Sequence, residues 1–219
     1  MPRNRARTSK KRRTRRCDIA TAWMRLESLL HRADDKGVLP SGASESEIAD
    51  AEELMGFSFP ADLRESYLLH DGTDRIWIGD HLGYLMPLFV PKNISKRKSL
   101  LYATVTQRWS ILNGNREQGV FDDPEFKSSP VGPVRTDHWI PEWIPITYNE
   151  CGDHLCFDLA PARGGKKGQI IEWDHEFGAK NVIAETLCDL IADRCDGLES
   201  GSLVFHLSGR IIKSVGTTT

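Results

Sequence analysis

No stretch of this 219-residue chain approaches the roughly 18 to 20 consecutive apolar residues needed to cross a bilayer, so no spanning helix is expected. Cysteine is sparse. Cys17, Cys151, Cys156, Cys188 and Cys195 form an odd set without a CxxC pair, which argues against a disulfide framework and for reduced thiols. Catalytic signatures are missing too: there is no GxSxG, HExxH or GxxxxGK[ST] to support a hydrolase, a zinc protease or a P-loop. Arg15-Arg16 has the form of a twin-arginine leader, yet Asp18, Arg25 and Glu27 interrupt the apolar run that should follow it. These absences predict a cytoplasmic protein without enzymatic activity or cofactor.

What is present first is a division of charge. Residues 1–16 hold nine of the 29 Lys and Arg and no acid, which leaves 20 bases against 31 acids for the remainder. Arg12, Arg13, Arg15 and Arg16 are the densest part of that run and are candidates for weak polyanion binding through counterion release. The run has no aromatic residue for base stacking and no apolar face, so residues 1–17 are expected to form a disordered basic tail. The 39% of hydrophobic residues can fill one core, and residues 18–215 are expected to form a single α+β domain.

Periodicity places the helices. Ile19, Trp23, Leu26 and Leu30 share one helical face, and a second helix starts at a capping box in which Ser44 and Glu47 satisfy each other's backbone amides. Ile48, Ala51 and Met55 mark its buried side and Gly56 its stop, while Pro60 opens a third helix carrying Leu63 and Tyr67. Beyond Gly72 the apolar runs shorten as strands do. Residues 100–112 read as a helix through Leu101, Val105, Trp109 and Leu112, and residues 113–133 as a long surface loop. Strands are expected at 143–147, 154–159 and 169–173. The last two should pair antiparallel across the glycine-rich turn 164–168, with Leu155, Phe157 and Leu159 facing the core and His154, Cys156 and Asp158 a polar face. A helix over 182–194 closes the fold, and residues 203–215 could add a hairpin.

Two site readings compete around these strands. Asp153, His154, Asp158, Asp174 and His175 could form an acidic, imidazole-bearing rim for a basic protein partner, with Trp139 as an aromatic anchor. The plainer alternative has Asp153 and Asp158 fixing turns, Asp174 and His175 ending a strand, and Trp143 and Trp173 filling the core. Cys151, His154 and Cys156 with His175 could in principle ligate zinc, but the spacing matches no zinc signature and no metal is expected.

The fragments SGASESEI, FPADLRESY and HDG, then WIPI, GDHLCFDLAP, GGKKGQII and DHE, follow one another in an order that resembles the SUKH superfamily. That superfamily comprises the Smi/Knr-type cell-wall-assembly regulators and bacterial toxin-immunity relatives. The resemblance covers residues 23–196. It implies a mainly antiparallel sheet with packed N-terminal helices and a closing C-terminal helix, and a surface that holds a protein partner, with no catalytic residues to carry over. A cognate toxin bound by an immunity protein is the first expectation, regulation of cell-wall glucan synthesis through protein partners is the alternative, and a hydrolase using the Asp and His cluster is a third reading that ranks below both. The oligomeric state is left open.

Overall fold

The computed structural model describes residues 18–32, 39–74, 76–78, 82–90, 92, 103–123, 126–206 and 211–214. The basic tail, with Arg12, Arg13, Arg15 and Arg16, lies outside them. Helix α1 (Ile19–Arg32) buries Trp23, Leu26 and Leu30 against α3 (Ala61–Leu69) and the closing helix α5 (Leu187–Ser200). The Trp23 indole donates to Ser66 Oγ at 2.9 Å, so a buried donor is satisfied where the two helices cross.

Helix α2 (Glu45–Met55) carries the capping box expected of it: Glu47 N donates to Ser44 Oγ at 3.2 Å, and Ser44 N to a Glu47 carboxylate oxygen at 2.9 Å. Such a cap stabilises a helix by about 1 kcal/mol. The hydrogen bond from Ser44 N, a second from Ser44 Oγ at 2.8 Å and Lys92 beside it hold the Glu47 carboxyl down at about 2.

The sheet order is β2-β4-β5-β6, formed by Trp143–Pro145, His154–Asp158, Gln169–Asp174 and Gly178–Ala184, with every neighbour antiparallel. A short pair, β1 (Tyr84–Leu85) and β3 (Thr147–Tyr148), and a second pair, β7 (Leu203–Phe205) and β8 (Ile211–Lys213), stand apart from it. The register His154↔Trp173 to Asp158↔Gln169 makes β4 and β5 the expected hairpin. The fold is therefore α+β, and the buried side chains of the helices and the four-stranded sheet form one continuous core.

Several expectations change. Helix α4 runs over Val105–Glu117, past the predicted end at Leu112, because Thr104 caps its start and the left-handed Gly119 terminates it only after Gln118. Part of the predicted loop is thus helical. Residues 182–184 belong to strand β6, and α5 begins after Thr186, whose hydroxyl accepts from Asp189 N at 3.0 Å. The β-branched Val182 and Ile183 fit a strand better than a helix. All five residues of β4 are buried, so His154, Cys156 and Asp158 do not face solvent. Cys151, Cys156 and Cys195 are free thiols, whereas Cys188 is disulfide-bonded, which departs from the expectation of fully reduced cysteines. No helix among the described residues is long and apolar enough to cross a membrane.

Candidate functional site

The sheet sorts the predicted rim into two groups. Trp139, His154 and Asp158 lie inside, at 2%, 2% and 0% exposure, where none of them can be touched by a partner. Asp153, Asp174 and His175 meet at the surface.

The interior group is structural for a clear reason. Asp158 accepts from the Trp143 indole at 3.1 Å, Ala160 N at 2.9 Å and the Gln169 amide at 2.9 Å, so its carboxylate is compensated although burial raises its proton affinity. His154 Nδ1 faces the Thr147 carbonyl, which can only accept, so Nδ1 carries the proton and Nε2 accepts from Arg108 Nε at 3.3 Å. Burial, reinforced by the Arg108 charge, pushes that imidazole down to about 3. It is stacked between Tyr148 and Trp173, each 5.7 Å away, and the Arg108 guanidinium lies over the Tyr148 ring at 4.9 Å. Trp139 packs edge to face on Trp143 at 6.1 Å and on Trp173 at 5.6 Å. A sequence can show that a tryptophan flanks a loop, but not that two indoles of one segment will cluster with a third from β5.

The surface group is built by two turns. In the turn before β4, Asn149 Oδ1 accepts from Cys151 N at 2.9 Å and Asp153 N at 3.0 Å, and Glu150 and Gly152 take positive φ angles of 65° and 117°. A Cβ at Gly152 would stand 3.1 Å from the His175 ring, so glycine permits the turn to close on β5. Asp153 Oδ1 then accepts from His175 N at 3.1 Å and from His175 Nδ1 at 2.8 Å. In the β5–β6 turn, Asp174 Oδ1 accepts from Glu176 N at 2.8 Å and Phe177 N at 3.0 Å, and its other oxygen pairs with Lys180 at 2.7 Å.

The hydrogen bond from His175 to Asp153 raises the imidazole pKa, and the Asp153 and Asp174 carboxyls are held below their ordinary value against the opposing effect of burial. One potential ligand atom from each of Asp153, Asp174 and His175 lies within 4.8 Å of the others, which makes these three the residues that could hold a metal ion. Both carboxylates and His175 Nδ1 are already engaged. Asp153 Oδ2 accepts from Asn149 at 2.8 Å, and a cation would have to displace this bond, the His175 bond and the Lys180 ammonium. The arrangement is that of a hydrogen-bonded corner joining two turns. The cysteines do not join it: Cys156 is buried and Cys151 exposed, and no metal-competent group among the described residues includes either.

The model of the SMI1/KNR4 family (SUKH-1) matches residues 42–193, from the turn before α2 to the middle of α5. This chain belongs to that family. It is 30% identical over 205 residues to the cell wall assembly regulator SMI1 of Saccharomyces cerevisiae, covering 83% of this chain and 40% of the relative. It is 29% identical over 162 residues to the cell wall biosynthesis/cell cycle regulator smi1 of Schizosaccharomyces pombe, covering 73% of this chain and 32% of the relative. A glucan synthesis regulatory protein of Neurospora crassa matches at 24% over 186 residues, 74% of this chain and 35% of the relative. The chain thus spans a third to two fifths of the length of these SMI1/KNR4 relatives. All three are named as regulators, which moves the weight from toxin immunity to the regulatory expectation.

Proposed function

We propose that this SMI1/KNR4-family chain is a non-enzymatic protein-binding domain that regulates cell-wall glucan synthesis and assembly through protein partners. Residues 18–215 act as one unit in this role, and Asp153, Asp174 and His175 contribute to the partner-binding surface. The supporting observation is the corner itself. Its charged side chains are held at the surface by hydrogen bonds to two turns, so a partner would meet groups that are already oriented. Trp139, His154 and Asp158 serve that surface from beneath by fixing the strands that carry it. A toxin as partner has in its favour only the excess of acids over bases outside the first 16 residues.

Rescue tests the regulatory role. The full chain, expressed in Saccharomyces cerevisiae lacking its SMI1 relative, is expected to restore resistance to cell-wall stress. Asp153→Asn, Asp174→Asn and His175→Ala should each weaken partner binding by about 1 to 3 kcal/mol where the contact is desolvated. A folded parent that gives no rescue would count against the role, and variants that rescue and bind like the parent would remove the corner from the surface.

A further inference from the structure

Beside the charged corner lies a cluster of apolar side chains that the core does not enclose. Phe121, in the short 3-10 turn Val120–Asp122, and Phe126 are half-buried and meet edge to face at 6.1 Å. Beneath them is His138, only 5% exposed, stacked on Phe121 at 4.5 Å and edge-on to Phe126 at 5.1 Å and to Trp173 at 5.8 Å. Its Nδ1 faces the Phe126 carbonyl at 3.2 Å.

The β5–β6 turn reaches the same place. A Cβ at Gly178 would approach Ser128 Cβ to 2.8 Å and His138 Nδ1 to 3.0 Å, so only glycine lets the turn lie directly on this aromatic floor. The neighbouring Phe177 is 62% exposed, and its backbone is fixed by the Asp174 carboxylate. Apolar side chains scattered singly over a surface need no explanation. Two phenylalanines packed on one buried histidine, with the turn that carries the exposed Phe177 resting on the same histidine through Gly178, are the kind of patch that marks an interaction site.

We propose that Phe121, Phe126 and Phe177 form a shelf that docks an extended segment of a protein partner in which an apolar or aromatic side chain is flanked by Lys or Arg. The flanking charge follows from the rim. Asp122 and Glu176 are exposed acids and Asp174 lies beside Glu176, whereas Lys180 is engaged by Asp174 and Glu172, leaving Lys127 as the exposed cation of the Phe126 turn among the described residues. A guanidinium on such a segment could also stack on the phenylalanine faces. The shelf rests on the protein-binding role proposed above and names the class of partner it takes.

The test is selection of a random nonapeptide display library on the full chain, run in parallel on Phe177→Asp. Enriched peptides should pair an apolar or aromatic residue with flanking Lys or Arg, and bind more weakly as salt rises. They should lose about ten-fold or more in affinity for Phe177→Asp, as expected for an anchor residue, and should still bind Met24→Asp, which alters an exposed residue of α1. Phe177 is exposed, so circular dichroism should find its variant folded. No enrichment, enrichment of acidic or charge-indifferent peptides, or equal binding to Phe177→Asp would overturn the shelf. A concentration-dependent dimer dissolved by Phe177→Asp would overturn it in favour of a second copy of this chain. The two readings fail separately. Rescue of cell-wall resistance by Phe177→Asp as complete as by the parent sinks the shelf alone, and shelf-dependent peptides without rescue sink the regulatory role alone.

Discussion

Replacing Asp71 with Asn should change how stability depends on pH, with little change to the fold. Asp71 follows α3, and its Oδ1 accepts from Leu88 N at 2.7 Å, tying the end of that helix to the segment after β1. Burial, opposed by that hydrogen bond and aided by the Glu47 charge, pushes the carboxyl up from 3.8 to about 6. Between these values the folded chain keeps a proton that the unfolded chain has released. The free energy of unfolding therefore falls as pH rises through about 4 to 6 and levels off above that window. A shift of about two units corresponds to about 3 kcal/mol, and the solvent contact that Asp71 retains reduces the expected effect to about 1 to 2 kcal/mol. Asparagine keeps the acceptor for Leu88 and cannot ionise. Relative to the parent, Asp71→Asn should therefore gain about 1 to 2 kcal/mol between pH 4 and pH 7, because the parent loses stability over that range and the variant does not. Urea denaturation at constant ionic strength, at pH 4, 5, 6 and 7, reads this as the difference in midpoint at unchanged m. A difference that stays level across the four pH values would refute the reasoning.

Trp143→Phe should cost about 1 to 3 kcal/mol in the same assay, because it withdraws one of three donors from the buried Asp158 carboxylate, and a loss below about 0.5 kcal/mol would show that another donor replaces it. Imidazole NMR should find His175 titrating above its usual midpoint and returning towards it in Asp153→Asn, while His154 stays neutral down to about pH 5. The sign for His175 follows from its raised value: the stabilisation by Asp153 is complete below about 6.5 and is lost as pH rises through the folded-state pKa. Deleting residues 1–16 should leave the thermal midpoint nearly unchanged and abolish salt-sensitive binding to heparin, and a large drop in the midpoint would make the tail part of the domain. Elemental analysis of purified protein should find no stoichiometric metal. Zinc lost on Asp153→Asn or on Cys151→Ser with Cys156→Ser would reverse that expectation.

The elements that could be read from the residues alone are those whose causes are local. The cap of α2 is legible because Ser44 and Glu47 satisfy each other within one turn, and Gly56 ends the helix through its own φ of 78°. The β4–β5 hairpin is legible because alternation on both sides of the glycine-rich turn places Leu155 and Phe157 on one face. The boundary at Thr186 was also available as a capping signal, but Val182 to Ile191 carries a helical stripe that competes with it. The candidate site was only half legible. The register His154↔Trp173 carries Asp153, Asp174 and His175 to one end of the hairpin, and that closeness follows from the pairing. Whether the polar face of β4 meets water does not follow from alternation, because it depends on what other segments lay over it. Arg108, 46 residues before His154, and the Trp143 indole, 15 residues before Asp158, turn those polar side chains into interior ones. The phenylalanine shelf was not legible at all. Phe121 and Phe126 come to lie beside the turn of Phe177 only when Gly178 lets a distant hairpin settle on His138. Local sequence sets backbone conformation through short-range hydrogen bonds and periodicity, whereas exposure and convergence are decided by contacts between segments that only the folded chain brings together.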